Sequence, residues 1–261
     1  MPQMSSYDPG VPNWVDLATP DIAASSNFYG ELFGWQANSS PDPQYGGYTM
    51  FTLAGSEGNE VAAAMPIMME GQPPSWTTYV NVLDVDATVK AVQAAGGQVF
   101  MEPMDVPEQG RMAVFADTVG AVIAAWQPYN FKGAGIVNEP GSYCWSELNC
   151  RDIDAAKAFY ADVFGWESAT AEFGSTTYTE FKVGGNSIAG MMQMDDNWPA
   201  DLPAHWMVYF AVADTDAIVA RTTELGGTVS IPPTDIPIGR FSVLGDPQGA
   251  YFSVIALSGT M

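Results

Sequence analysis

Apolar and polar residues alternate from Trp14 to Ala18, which predicts a strand with Val15 and Leu17 on one face and Trp14, Asp16 and Ala18 on the other. The period then lengthens. Thr19 is placed to cap a helix, Pro20 fits a first turn, and Asp21 suits the positive helix N-terminus. Ile22, Ser25, Tyr29, Leu32 and Phe33 follow at helical spacing, and Gly34 supplies the stop. Strands are expected at Tyr48–Leu53 and Asn59–Pro66 around the glycine-rich turn at 54–58. From Ser75 the chain reads strand, helix opened by an aspartate, and a Gly-Gly stop into a further strand.

The whole pattern occurs twice. Trp14, Leu17, Asp21, Ile22, Phe28, Tyr29, Phe33, Gly34 and Trp35 return as Trp145, Leu148, Asp152, Ile153, Phe159, Tyr160, Phe164, Gly165 and Trp166, and Asp16 returns as Glu147. Trp76, Tyr79, Asp84, Gly96 and Gly97 return as Trp206, Tyr209, Asp214, Gly226 and Gly227. Gly110-Arg111 matches Gly239-Arg240, and the turn Asp117–Gly120 matches Asp246–Gly249, each expected inside a closing hairpin. A repeat of this density sets the architecture. It divides the chain into a domain at 11–127, a Pro- and Gly-containing linker without period at 128–142, and a domain at 143–258. Each half reads strand–helix–three strands, twice over, so the fold class is α+β with four βαβββ units.

Composition narrows the partners. Thirty acidic against eight basic residues give a formal charge of −22, which argues against nucleic acid and anionic membrane, since both need basic patches. Apolar runs are short, and the first ten residues lack the basic and apolar regions of a signal peptide, so a cytoplasmic protein is expected. Cys144 and Cys150 lie too far apart along one predicted strand to pair; they are read as reduced thiols on its helix-facing side.

The pattern D-hydrophobic-x5-FY-x3-FGW, followed by a second unit that ends in a D-x-x-G hairpin, resembles the vicinal oxygen chelate superfamily, and in particular its two-domain glyoxalase-like members from actinobacteria. That superfamily holds glyoxalases, bleomycin-resistance proteins, fosfomycin-resistance enzymes and extradiol dioxygenases. The resemblance covers nearly the whole chain and implies two concave, incompletely closed mixed sheets. It also implies a place for a metal, held in metal-dependent members by His, Gln or Glu from the first, fifth and last strands. Those positions fall here on Trp14 and Trp145, on Ser75 or Thr77 and His205 or Met207, and on Ala124 and Ser253. Only His205, the sole histidine, is an ordinary ligand, and an indole has no free lone pair. No metal and no cofactor is therefore expected, and one histidine argues against dioxygenase chemistry.

Alternation assigns Thr77, Tyr79 and Asn81 to the concave face of one half, and Met207 and Tyr209, with His205 at the rim, to the other; Trp76 and Trp206 fall among the core on the helix side. Aromatic pockets are expected from Trp14, Tyr79 and Trp126, and from Trp145, Tyr209 and Tyr251, with Ser253 beside them. Asp16 and Glu147 are candidate acid–base groups, or else structural carboxylates hydrogen-bonded within the sheet. Arg111 and Arg240 have two readings as well: ion pairs with nearby carboxylates, or fork-like donors at a pocket mouth. Three functions remain open: a metal-independent protein that binds a small organic molecule, a glyoxalase-like lyase or isomerase using a carboxylate base on a small carbonyl compound, and an interaction scaffold. The tandem halves, supplying to each other the contact that single-domain relatives make by dimerising, lead to the expectation of a monomer.

Overall fold

A computed structural model describes residues 4–53, 60–68, 71–173 and 176–258. The predicted turn at 54–58 lies outside the described residues. The first half runs β1 (Pro12–Thr19), α1 (Ile22–Phe33), β2 (Trp35–Ser39), β3 (Thr49–Leu53), β4 (Glu60–Pro66), β5 (Ser75–Asn81), α2 (Val85–Ala94), β6 (Gln98–Val106), β7 (Gly110–Ala116) and β8 (Val122–Pro128). The second half repeats it: β9 (Tyr143–Cys150), α3 (Ile153–Phe164), β10 (Glu167–Phe173), β11 (Thr176–Val183), β12 (Asn186–Gln193), β13 (His205–Ala211), α4 (Thr215–Glu224), β14 (Thr228–Ile236), β15 (Gly239–Gly245) and β16 (Tyr251–Leu257). Among the described residues no helix is long and apolar enough to cross a membrane.

Each half builds one eight-stranded mixed sheet, in the order β2-β3-β4-β1-β5-β8-β7-β6 and β10-β11-β12-β9-β13-β16-β15-β14. Consecutive units therefore pair, first with second and third with fourth. The joint is the antiparallel pair β1–β5, and β9–β13 in the other half. All four helices begin at an aspartate whose carboxylate accepts from a backbone N–H three residues on: Asp21, Asp84, Asp152 and Asp214. The α1 cap is thus Asp21 rather than Thr19, whose hydroxyl bonds Ser25 and Gln248 instead. Gly34 and Gly165 close α1 and α3 in the left-handed conformation, with φ of 74° and 70°.

The two sheets pack back to back through their helix-covered faces. One apolar cluster joins Leu17, Tyr29, Trp35 and Trp76 of the first half to Phe210, Phe252 and Val254 of the second, and a mirror cluster joins Phe159, Tyr160, Trp166 and Trp206 to Val80, Phe115 and Ile123. Hydrogen bonds repeat the exchange. Tyr29 donates to Asp246 at 3.1 Å and Tyr160 to Asp117 at 2.7 Å. The indoles of Trp35 and Trp166 donate across the halves to the carbonyls of Gly141 and Gly10. Thr78 and Ser146 share a hydrogen bond of 2.7 Å between the central strands of the two sheets. The residues that announce the repeat are thus the ones that weld it, and the concave faces are left pointing outward.

Candidate functional site

On the first concave face, β1 sets Trp14 opposite Tyr79 and Asp16 opposite Thr77. The Tyr79 hydroxyl donates to Asp16 Oδ2 at 2.8 Å, and Tyr48 donates to the same oxygen at 3.2 Å. Tyr48 in turn accepts from the Trp14 indole at 2.9 Å. Asp16 is 2% exposed, and its burial outweighs the two phenol donors, lifting its pKa to about 7. The same burial, with the carboxylate alongside, pushes both tyrosines well above their ordinary value.

The second concave face copies the arrangement. Tyr209 donates to Glu147 Oε1 at 3.1 Å, the Tyr178 hydroxyl lies beside the same carboxyl and works against its raised pKa, and the Trp145 indole donates to Tyr178 at 3.1 Å. Burial again dominates and raises Glu147 to about 7. Met207 stands opposite Glu147, and His205 stands opposite Asn149. His205 is half-buried at the rim, its Nδ1 is bonded to the Pro203 carbonyl at 2.9 Å, and burial lowers its pKa.

Tyr48 enters the sequence reading only as the start of a strand and Tyr178 not at all, although they stand at matching places in the two repeats. Tyr48 precedes β3 by one residue and Tyr178 lies in β11, both beyond the strongly matched stretches.

Two open readings close, on the side of the ion pair, and two expectations need correcting. Alternation along β7 sends Met112 and Val114 to the concave cluster, so Arg111 faces the helix side, where it grips Asp86 at 2.9 and 3.1 Å and Asp105 at 3.0 Å. Arg240 does the same with Asp216 and Asp235. Neither arginine meets the carboxyl sites; both are held by helix-side aspartates. Tyr251 is 54% exposed at the start of β16, and the residue in register with the Trp126 position is Ile255. Cys144 packs with Met207, Tyr209 and Ile255 on the concave side instead of under the helix, since the β9–β13 register shifts at Tyr209/Phe210. Burial raises its thiol pKa, which disfavours the reactive thiolate.

The segment 128–142 is also more than a connector. Phe131 lies edge-on to Trp14, ring centroids 4.8 Å apart, and 6.0 Å from Trp126, within the first concave cluster. Trp126 therefore stands where expected, with a covering aromatic that the aperiodic sequence concealed.

The donor set does not fit the family's metal. The first-strand places are indoles already donating to tyrosines, Ala124 offers no donor, and Thr77 faces Asp16 with no imidazole near. Among the described residues no three His, Cys, Asp or Glu side chains gather as a metal site. A cavity of about 280 Å³ lies off the end of β5, lined by Tyr7, Asn81, Gln127 and Lys132, and holds neither carboxyl.

Comparison with known proteins agrees with this architecture. The model of the Glyoxalase/Bleomycin resistance protein/Dioxygenase superfamily matches residues 11–148 and 145–254. CFP32 of Mycobacterium tuberculosis, named for an inferred glyoxylase activity, is 44% identical over 258 residues, covering 98% of each chain. The anthracycline biosynthesis protein DnrV of Streptomyces peucetius is 41% identical over 268 residues, covering 97% of this chain and 96% of its own. Among solved structures, the Mn(II)-bound glyoxalase of Novosphingobium aromaticivorans superposes with a TM-score of 0.65 at 18% identity, covering 95% of this chain and 82% of that one. The 2,3-dioxygenase LapB of a Pseudomonas species gives 0.64 at 15%, covering 97% and 94%. At such identities these two speak to the fold alone.

Proposed function

From the premise that this chain belongs to the Glyoxalase/Bleomycin resistance protein/Dioxygenase superfamily, we propose that it binds a small, partly apolar organic molecule on its concave surface without a protein-held metal, and that it does so as a monomer. The observation that carries this reading is the Trp–Tyr–carboxyl–Tyr cluster, built twice and kept on the outward faces, where the fold itself does not require it. A carboxyl with a pKa near 7 switches near neutrality between accepting and donating a hydrogen bond, so it recognises a hydroxyl or a carbonyl. The aromatic rings beside it favour a flat body. The name of DnrV makes an anthracycline-type polycycle the first molecule to try.

The same near-neutral carboxyl favours a second reading, in which Asp16 or Glu147 takes a proton from carbon next to a carbonyl while a tyrosine hydroxyl donates to the developing oxyanion. The glyoxylase name of CFP32 points the same way. Calorimetric titration with an anthracycline aglycone, and NMR observation of methylglyoxal with and without a thiol, separate the two. Saturable binding weakened by Asp16→Asn or Glu147→Gln, with no turnover, supports the binding reading. Turnover abolished by those variants supports the enzyme. Neither binding nor turnover sinks both.

A further inference from the structure

The two concave faces are matched in their carboxyl clusters but unequal in what covers them. On the first, Phe131 and Ala134 of the connecting segment join the cluster around Trp14, and Trp14 and Asp16 are left 3% and 2% exposed. The segment is pinned at several points. The Trp126 indole donates to the Phe131 carbonyl at 2.9 Å, and the Asn13 amide donates to the Lys132 carbonyl at 3.0 Å. Ala134 N donates to the Asn13 carbonyl at 2.8 Å, and the Tyr7 hydroxyl donates to the Ala134 carbonyl at 2.7 Å. Gly133 makes the close approach possible. Its φ is 118°, and a Cβ there would stand 2.4 Å from the Asn13 carbonyl.

The second half has lost both side-chain anchors. Cys144 stands where Asn13 stands, and Ile255 where Trp126 stands. Trp145 is only half-buried, while Met207 and Tyr209 are 8% exposed. In place of a plug, this face carries two polar side chains where the first has alanine; the first half's own unpartnered amide oxygens, on Asn13 and Asn81, belong to side chains whose nitrogens are already tied to the Lys132 and Tyr7 carbonyls. Asn149 replaces Ala18 and Ser253 replaces Ala124, each on the same face as Glu147 by strand register. Both are buried, at 3% and 0% exposed; among the described residues Asn149 Oδ1 has no hydrogen-bond partner, and Ser253 Oγ has only the neighbouring Tyr209 hydroxyl beside it. Buried polar atoms ordinarily have partners, so a free acceptor on a concave face marks the place of a donor that the chain does not supply.

Building on the proposed binding function, we infer that the second half alone takes the ligand, with Asn149 and Ser253 as its polar contacts, while Phe131 occupies the first face. The ligand has an apolar planar body, for Trp145, Met207 and Ile255, and a hydroxyl that donates to Asn149 Oδ1. Ser253 and Glu147 serve further oxygens on the same edge. Asn149 and Ser253 therefore set specificity, and the binding stoichiometry is one per chain.

The test is a calorimetric titration of the full chain with 2-hydroxyanthraquinone, using anthraquinone as the hydroxyl-free control. The expected result is one equivalent bound, with the hydroxylated compound at least tenfold tighter. Asn149→Ala should erase that preference, and Ser253→Ala should weaken it. Both substitutions import the residue that the first half already carries at that position, so the fold accommodates them, and melting curves verify it. Phe131→Ala should raise the stoichiometry toward two. Two equivalents in the unaltered chain, a hydroxyl preference that survives Asn149→Ala, or binding that appears only in Phe131→Ala would each overturn the inference. Binding of neither compound also overturns it, while the broader function stands or falls on its own titration with the anthracycline aglycone.

Discussion

The hydroxyl of Tyr29, on the first helix, donates to the carboxylate of Asp246, in the last hairpin turn, across 217 residues of chain at 3.1 Å. The same hydroxyl accepts from the Trp76 indole at 3.1 Å, so one buried oxygen ties together a helix, its own sheet and the opposite half. Removing it strands a buried indole N–H and strips one donor from a buried carboxylate. Tyr29→Phe is therefore expected to cost about 2–3 kcal/mol, and the equivalent Tyr160→Phe a similar amount. Urea unfolding should show a single transition for both variants. Separate unfolding of the two halves would mean that the interface is weaker than the structure implies.

Asp16 and Glu147 give a signed pH dependence. Their folded pKa values of about 7 lie above the ordinary 3.8 and 4.5, so the folded state holds protons that the unfolded chain has already released. Their stabilising contribution is complete below about pH 4 and is lost as pH rises through 7. It is worth up to roughly 3–4 kcal/mol for each carboxyl. Melting temperature measured from pH 4.5 to 8 should fall less steeply for Asp16→Asn and for Glu147→Gln than for the unaltered protein. Parallel slopes would show that these carboxyls titrate normally.

Arg111 and Arg240 should be separable from binding. Their partners are exposed aspartates on the helix side, and ion pairs of that kind contribute little and fade with salt. Arg111→Met and Arg240→Met are expected to leave ligand affinity unchanged and to lower the melting temperature slightly, by an amount that vanishes in 1 M salt. Loss of affinity in either variant would return the arginines to the site.

Gly190 offers a steric test of the second face. It stands opposite Glu147 in the β9–β12 pair, and a Cβ there would fall 2.0 Å from the Tyr178 hydroxyl and 2.8 Å from the Trp145 indole nitrogen. The first half carries Ala63 at that place, opposite Asp16. Gly190→Ala should displace Tyr178 from Glu147, cost about 1–3 kcal/mol, and weaken binding at the second half. An unchanged melting temperature would show that Tyr178 swings away freely.

Chelation should matter to neither stability nor binding. Dialysis against EDTA followed by addition of Zn²⁺, Mn²⁺ or Fe²⁺ is expected to leave the melting temperature and the ligand affinity where they were. A metal-dependent gain in either, abolished by His205→Ala, would reverse the donor-set argument.

How much of this was legible in the residues differs by element. The repeat, the four-unit architecture and the outward placement of Asp16 and Glu147 follow from identity between halves and from strict alternation in β1 and β9, where nothing interrupts the count. The helix starts were legible as well, apart from the choice between Thr19 and Asp21, which rests on two residues of backbone geometry. Arg111 stayed open between an ion pair and a pocket mouth because parity was not carried through β7 from its concave residues Met112 and Val114, which would have left only the ion pair. Tyr48 follows a turn-rich stretch from which no period can be continued, although its match with Tyr178 was there to be seen. Phe131 sits in a segment with no period at all, and its position is fixed by Asn13 and Trp126, contacts that appear only once the sheet is closed.

The hydrogen bond between Thr78 and Ser146 has no counterpart in the repeat, because the equivalent places hold Val208 and Val15. In a symmetric pair of separate, identical subunits, every mutation is installed twice and must be tolerated at both copies of a site. Fusion into one polypeptide removes that constraint. Ala18 and Asn149, or Ala124 and Ser253, occupy equivalent places yet are separate positions of one chain, so one lobe can carry a polar group where its twin carries alanine. The continuous chain thus gives the lobes a shared interface and independently variable faces.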